Sequence, residues 1–266
     1  MRGGVEIAVA KRGSDTRLVD QWQRAPLRVL WPAVPAGECA QAVLVTTSGG
    51  LVAGDHLTLT SRVAEGAALR LGPQAAEKVY RSTGATTLVT AEHHVADGAW
   101  LEVLPLETIL FDGARFDRRT RFTLTGAAQL LAGEILVFGR LARGETMRQG
   151  FVHDGMTVDV DGRLIWADAF RADPPDALLD APTGLRGGRA LATLVHRAPD
   201  PDAALSTLRA LPAPDTLFGA TKIGPLVIAR WLGGEAGPVR AGFGAAFCAL
   251  RAAAGWPDRL PVNWSA

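Results

Sequence analysis

The chain has 266 residues, of which 48% are hydrophobic, and its formal net charge is +1. The hydrophobic content suffices for a sizeable core, and the balanced charge argues against a general attraction to nucleic acid or to an anionic membrane. Two cysteines, Cys39 and Cys248, lie far apart in the sequence, so neither a cysteine-rich metal site nor a disulfide framework is expected.

The N-terminal segment lacks the apolar stretch of a signal peptide. No run of the sequence approaches the ~20 apolar residues that a membrane span requires. We therefore expect a cytoplasmic protein with no membrane partner.

The first 160 residues or so carry the pattern of short strands. Apolar and polar residues alternate over Val5–Val9, Leu57–Thr60 and Met156–Val160, with Gly-containing turn signals between such runs. Asp154-Gly155 is interpreted as one of these turns, and Asp161-Gly162 as a two-residue hairpin, because both of its residues tolerate positive φ. Many short strands and almost no helix predict a sandwich, a barrel or a β-solenoid.

The last third of the chain mixes strands with helices. Asp200 can cap a helix in which Pro201 takes the first position, and apolar residues recur at helical spacing before Gly255. The predicted elements are an exposed loop at 171–188, strands at Leu191–His196 and Leu226–Leu232, and helices at about 202–211 and 238–254. We expect one domain over 1–266, with a β core at about 5–170 and 190–232 that the two helices cover.

A glycine-rich stretch, Gly49 to Asp55, does not fit a nucleotide-binding loop. It lacks the Gly-Lys-Ser/Thr ending of a P-loop and precedes a strand instead of opening a helix. Its glycines are expected to form a tight turn. Asp55 then stands at the end of this turn, where its carboxylate either bonds local backbone amides or faces a ligand.

The histidines are not spaced for a permanent metal site. None forms the i, i+4 pair of a helical zinc site, and the neighbours His93 and His94 should point to opposite faces of a strand. A Gly-x-Ser-x-Gly nucleophile motif is also absent from the sequence.

Several carboxylates stand in apolar surroundings: Glu38, Glu107, Glu134 and Asp168. Burying such a group costs several kcal/mol unless it is paired, hydrogen-bonded, metal-bound or hydrated. One interpretation is a strand-end acid that faces solvent or pairs with arginine. The other is a hydrated interior lined with acids, which would attract a divalent cation and pass it on. Carboxylate ligands hold a late first-row metal less tightly than imidazole or thiolate, which suits transfer.

Basic and aromatic residues lie close together in the middle of the chain. Lys78, Tyr80 and Arg81 occur within four residues, and Arg140 follows later. They form either a solvated charge run or a protein contact, since Tyr and Arg are favoured interface anchors.

Four blocks, in order and at similar spacing, resemble the urease accessory protein family UreD, also called UreH. The blocks are Ser48–Asp55, Lys78–Ser82, Leu101–Phe111 and Gly139–Glu145. The resemblance extends from about Gly37 to Trp264. Ser48 replaces a usual proline, Ala53 replaces a usual glycine, and the C-terminal Pro-Arg-x-Trp pattern lacks its arginine.

The resemblance implies a β-helical stack of strands with two helices, and a urease maturation factor that is not an enzyme. Such a scaffold would bind the urease apoprotein on one side and UreF on the other, with UreF holding the nickel-binding GTPase UreG. It would hold no permanent cofactor but would pass nickel(II) toward the urease active site. The acidic positions carried over to this route are Glu38, Asp55, Glu134 and Asp168. The candidate partner-binding residues are Lys78, Tyr80, Arg81 and Arg140.

Two other functions compete with this interpretation. A carboxylate-dependent enzyme on a β-solenoid could use Asp55, Glu107 and Glu134, and would be favoured by a deep cleft with two convergent carboxylates of raised pKa. A metal-free structural adaptor would be favoured by the absence of any nickel association.

Overall fold

The computed structural model describes residues 1–212 and 215–265. Its strands are β1 (Arg2–Arg12), β2 (Asp15–Arg24), β3 (Leu27–Leu30), β4 (Ala40–Thr46), β5 (His56–Val63), β6 (Ala68–Pro73), β7 (Glu77–Val79), β8 (Thr87–Val95), β9 (Trp100–Val103), β10 (Glu107–Leu110), β11 (Arg115–Leu124), β12 (Gln129–Phe138), β13 (Phe151–Val160), β14 (Arg163–Ala172), β15 (Ala190–Arg197), β16 (Leu217–Ile223) and β17 (Leu226–Gly233). Its α-helices are α1 (Pro175–Asp180), α2 (Pro201–Arg209), α3 (Ala236–Ala253) and α4 (Val262–Ser265), and a 3₁₀ turn spans Leu141–Arg143.

The strands form two sheets that face each other. The first sheet has the order β14-β13-β11-β8-β5-β1-β2, and the second has the order β16-β17-β15-β12-β9-β6-β4-β3, with β10 pairing with both β12 and β7. Between β4 and β13 the chain passes back and forth between the sheets, and each strand lies parallel to the corresponding strand of the preceding coil. This is the predicted mainly β, solenoid-like stack.

Antiparallel hairpins terminate the first sheet at both ends. β1 pairs with β2 at one end, and β13 pairs with β14 at the other. The second hairpin turns at Asp161-Gly162, with φ values of 50° and 77°, so the predicted two-residue turn is confirmed. Asp154-Gly155 is not a turn but lies inside β13. The interpretation was wrong because Gly155 serves as an ordinary strand residue between His153 and Met156.

The alternation of side chains along each strand places one core between the two sheets. On β11, Phe116, Phe122 and Leu124 are fully buried while Arg119 and Arg121 point outward. Strand β12 is buried along nearly its whole length. Its even-numbered side chains face the first sheet and its odd-numbered ones face helix α3.

Helices α2 and α3 cover the outer face of the second sheet, as predicted. Asp200 caps α2 by accepting hydrogen bonds from the amides of Asp202 and Ala203. Phe243 of α3 packs over Gly133, where a Cβ atom would stand 2.5 Å from the ring. The absence of a side chain at residue 133 therefore lets the helix approach the sheet closely.

Two short helices were not predicted. Segment 171–188 is not a simple loop, because β14 continues to Ala172 and α1 follows at Pro175–Asp180. Its many Pro, Asp and Gly residues suit the ends of a short helix as well as a loop. Helix α4 near the C-terminus is a single turn. The helices of the described residues all fall short of a bilayer span in length or in apolar content.

Candidate functional site

A cavity of about 350 Å³ lies between the two sheets. Its lining is mostly apolar, and exposed members such as Gly49, Gln74 and Lys78 mark where it reaches the surface. The polar and charged residues of the lining include Ser48, Glu77, His93, Thr108, Arg118 and Glu134. This cavity is named the interior cavity below.

The glycine-rich turn forms one edge of the opening, and Tyr80 holds it in place. Gly50 has φ of 146°, and a Cβ atom there would lie 2.6 Å from the Tyr80 ring and 2.7 Å from the carbonyl oxygen of Lys78. The Tyr80 hydroxyl donates to the carbonyl of Gly49 at 2.9 Å. Residue 50 must therefore be glycine for both conformational and steric reasons. The predicted tight turn is present, and Gly50 is the residue that its close packing requires.

Asp55 and Glu77 lie close together near this opening, but only Glu77 lines the cavity. Asp55 is fully buried and accepts hydrogen bonds from the amide of Val52, at 3.0 Å, and from the amino group of Met1. Glu77 accepts a hydrogen bond from the Thr46 hydroxyl at 2.6 Å. Burial raises the pKa of Glu77, and the nearby Asp55 carboxylate adds to the effect.

Glu77 was missed in the sequence because it belongs to a short charged run that resembles a solvated surface. The one available signal was its position two residues before Val79, which is buried. On a strand, side chains two residues apart share a face.

The inner end of the interior cavity holds a buried charge cluster. The Arg118 guanidinium donates to Asp154 Oδ1 at 2.8 Å through Nε, to Thr108 Oγ1 at 3.1 Å through Nη1, and to Glu134 Oε2 at 3.2 Å through Nη2. Nη2 also contacts Asp154 Oδ2. Burial and the neighbouring Asp154 raise the pKa of Glu134 well above its ordinary value, although Arg118 opposes this effect.

These groups continue a line of polar residues that begins at the opening. Thr108 lies beside Glu77 in the parallel register of β10 and β7, and it accepts the hydrogen bond from Arg118. The line therefore runs from Glu77 through Thr108 and Arg118 to Glu134, with both sheets contributing. Asp154 joins it because β13 lies in register beside β11, with Asp154 opposite Arg118.

A second cavity of about 360 Å³, the outer cavity, begins on the other side of Glu134. Asp168, Phe170 and Arg230 contribute to its lining, and the side chains of Asp168 and Arg230 form an ion pair. Among the described residues, Glu134 is the one that lines both cavities. The structure thus brings two of the four acidic candidates, Glu134 and Asp168, together in the lining of the outer cavity.

Glu38 lies apart from both cavities, in an ion network between the second sheet and α3. Its carboxylate contacts Arg70 at 3.1 Å, Arg251 at 2.8 Å and Arg259 at 2.9 Å. Burial by itself would raise the pKa of Glu38, but these three arginines hold it below its ordinary value. Glu102, also buried, completes the network by contacting Arg70 and Arg251.

Two buried histidines are held in their neutral form. His93 lines the interior cavity, bonds the Ser61 hydroxyl through Nδ1 at 2.8 Å and stacks on Phe122, and burial lowers its pKa to about 3. His196 donates from Nδ1 to the carbonyl of Leu130 at 2.8 Å, and burial lowers its pKa to about 4. Within residues 1–212 and 215–265, no three His, Cys, Asp or Glu side chains are grouped as a metal centre.

The candidate partner-binding residues gather beside the opening of the interior cavity. The Tyr80 ring meets Phe111 edge-on at 4.9 Å, and the Arg140 guanidinium lies over the same ring at 4.6 Å. Arg81 extends over the neighbouring turn, 3.7 Å from the Asp112 carboxylate, and its side chain is 70% exposed. Lys78, also exposed, is two residues before Tyr80. Three strand ends thus present one basic and aromatic surface, named the rim surface below.

The fold and the site define a mainly β, solenoid-like protein with a cavity between its two sheets and a basic, aromatic rim surface beside the opening. The chain belongs to the UreD urease accessory protein family, whose model matches residues 1–265. Family membership supports a role in urease maturation.

Named relatives agree with this assignment over most of the chain. A "Urease accessory protein UreD" from Magnetococcus marinus is 39% identical over 271 residues, covering 99% of this chain and 94% of the relative. Proteins of the same name from Methylobacterium sp. (strain 4-46) and Azorhizobium caulinodans are each 41% identical. They cover 86% of this chain and 83% and 85% of their own lengths, respectively.

Proposed function

We propose that this protein is a non-catalytic urease maturation factor that gives nickel(II) a route toward the urease apoprotein. In this proposal it acts in the cytoplasm and bridges the apoprotein to UreF, which carries UreG. Nickel is cargo that passes through the chain without becoming a resident cofactor.

The observation that carries the proposal is the position of Glu134, which lines both the interior and the outer cavity. A cation crossing from one cavity to the other would meet this carboxylate. Glu77 stands near the opening and Asp168 lies in the outer cavity, so acidic groups occur before and after the junction. Ligand sets of one or two carboxylates bind nickel weakly, which suits transfer.

Asp55 and Glu38 would contribute to this route indirectly. Asp55 adjoins Glu77 and helps to raise the pKa of that carboxyl, while its own carboxylate pairs with the amino group of Met1. Glu38 is already neutralised by arginines, so its part in the route is the least supported of the four.

The rim surface supports the bridging part of the proposal. Tyr and Arg are favoured interface anchors, and the surface adjoins the cavity opening. A partner seated on Lys78, Tyr80, Arg81 and Arg140 would therefore cover the place where the cation enters. This makes the rim surface the better candidate for the UreF–UreG side.

The carboxylate-enzyme alternative has one observation in its favour, the convergence of Glu134 and Asp154. Both carboxylates, however, contact the same nitrogen of Arg118, so each already pairs with a guanidinium. The metal-free adaptor remains the competing function that the experiment must separate from a nickel route.

The test is urease activation in a strain whose own UreD gene has been deleted. The chain carrying both Asp55→Ala and Glu134→Ala should fail to activate urease while still co-purifying with UreF and urease. Asp159→Ala is the control, because this buried carboxylate pairs with Arg121 and lines neither cavity. Normal activation by the double variant would refute the acidic route and leave the adaptor function.

A further inference from the structure

Arg118 crosses the space between the two sheets at the junction of the two cavities. It belongs to β11 of the first sheet, whereas its partners Thr108 and Glu134 belong to β10 and β12 of the second sheet. Its side chain is 18% exposed, and it lines the interior cavity. The guanidinium therefore lies in the interior cavity against Glu134, the carboxylate that also faces the outer cavity.

A guanidinium in this position opposes the passage of a cation in two ways. Arginine remains protonated and has no acceptor atom, so it cannot ligate a metal ion. Its positive charge also occupies the two carboxylates, Glu134 and Asp154, that would otherwise attract the ion. The guanidinium therefore shields Glu134 Oε2 and both oxygens of Asp154 until it moves away from them.

We propose that Arg118 is a displaceable gate between the interior and outer cavities, and that a divalent cation passes by taking its place on Glu134 and Asp154. This inference rests on the proposed function, since it concerns the same cavities. It adds Asp154 as a ligand and Arg118 as the residue that controls the passage.

The arrangement of the oxygens supports an exchange of one cation for another. Glu134 Oε2 and Asp154 Oδ2 both contact Nη2 of Arg118, so one positively charged group already bridges the two carboxylates. A dication attracts each carboxylate more strongly than a guanidinium does. The guanidinium makes four contacts to three residues in return, so it can recover the position once the ion has moved on.

If Arg118 acts as this gate, removing its charge should leave Glu134 and Asp154 free to bind nickel. Equilibrium dialysis of the purified full chain against NiCl₂ should give Arg118→Gln a nickel affinity about tenfold or more above that of the wild type. We expect a gain of this size because one charge in contact with a carboxylate changes its ionisation constant by roughly ten- to a thousandfold. Adding Glu134→Gln to Arg118→Gln should abolish the gain.

Arg121→Gln is the matched control. Arg121 lies on the same strand but faces outward, where it pairs with Asp159, so its loss should leave nickel affinity unchanged. An Arg118→Gln variant that is folded by circular dichroism but binds nickel no more tightly than the wild type overturns the gate. So does an equal gain in Arg121→Gln.

Arg118→Lys keeps the inference testable if Arg118→Gln fails to fold. Lysine keeps the charge but loses the fork that contacts both carboxylates, so nickel affinity should rise by a smaller factor. An unchanged affinity in folded Arg118→Lys overturns the gate in that case.

Urease activation by the wild-type chain separates the two proposals. Activation by the wild type together with unchanged nickel affinity in the Arg118 variants means that only the gate fails. Failure of the wild-type chain to activate urease in the deletion strain means that the proposed function fails.

Discussion

Single residues determine the geometry of the cavity opening. Gly50 can adopt its positive φ and also pass beside Tyr80 and the Lys78 carbonyl because it has no side chain. Glu77 also lies near the opening, and its carboxylate accepts a hydrogen bond from the Thr46 hydroxyl. The opening is therefore formed by small backbone and hydroxyl contacts, not by a cluster of metal ligands.

Gly50→Ala should destabilise the fold, whereas Gly49→Ala should be nearly neutral. Alanine at residue 50 would be strained in φ and would overlap a backbone oxygen that cannot easily move, which costs about 1–3 kcal/mol. At residue 49 no atom lies within 4 Å of an added Cβ. Urea denaturation of both variants measures the difference, and equal free energies of unfolding would contradict this account of the turn.

The two neutral histidines predict a loss of stability in acid. His93 and His196 have folded pKa values of about 3 and about 4, against 6.5 for an ordinary histidine. Below about pH 6.5 the unfolded chain therefore binds protons that the folded chain does not. Each ring should lower the free energy of unfolding by about 1.4 kcal/mol per pH unit in the window down to its folded pKa.

The measurement is urea denaturation between pH 7.5 and pH 5 for the wild type and for His93→Gln. Carboxylates such as Glu134, whose pKa is raised, act with the opposite sign, so the comparison must be made between the two proteins. The variant should show a shallower fall in stability with acidification. An identical slope would mean that His93 binds its proton equally well in the folded and unfolded states, which would contradict its burial in the neutral form.

At the scale of secondary-structure elements, helix α3 is joined to the second sheet by charge as well as by apolar packing. Arg251 is fully buried and contacts Glu102 at 2.6 Å and Glu38 at 2.8 Å, and it also donates to the carbonyls of Pro257 and Arg259. The network thus holds the segment after α3 against the sheet. The chain continues from there to Trp264, whose indole nitrogen donates to the Pro105 carbonyl at 2.6 Å.

Arg251→Met and Arg259→Met separate buried from exposed members of this network. Removing Arg251 leaves two buried carboxylates short of a partner, which should cost about 3–5 kcal/mol. Arg259 contacts the same Glu38, but its side chain is 51% exposed, so its removal should cost about 1 kcal/mol or less. Thermal or urea denaturation of the two variants tests the order, and a larger loss for Arg259→Met would contradict it.

At the scale of the whole molecule, local patterns predicted the type of fold but not the contacts between distant strands. Alternating runs and the Asp161-Gly162 turn indicated short strands, and helical spacing located α3 to within two residues at its start. Asp154 could not be recognised as part of the site, because it meets Arg118 and Glu134 only when three strands stack. Such contacts depend on the register between coils, and no local signal in the sequence specifies that register.

The interior cavity is also a property of the whole molecule, and a larger side chain in its lining can fill it. Ala91 lines the interior cavity, so Ala91→Leu should fold normally but reduce urease activation if nickel uses that space. Ala132 is also buried but lines neither cavity, so Ala132→Leu should destabilise the fold by about 1–3 kcal/mol through overpacking. Full activation by a folded Ala91→Leu variant would contradict a passage through the interior cavity.

The hairpins at both ends of the first sheet have a consequence for the evolution of the protein's size. Because β2 and β14 run antiparallel to their neighbours, the parallel windings of the first sheet end at β1 and β13. The distance from the opening of the interior cavity to Glu134 depends on the number of windings between them, each about 4.8 Å wide. Insertions that lengthen loops would leave this distance unchanged, whereas the gain or loss of a winding would change it by one strand spacing.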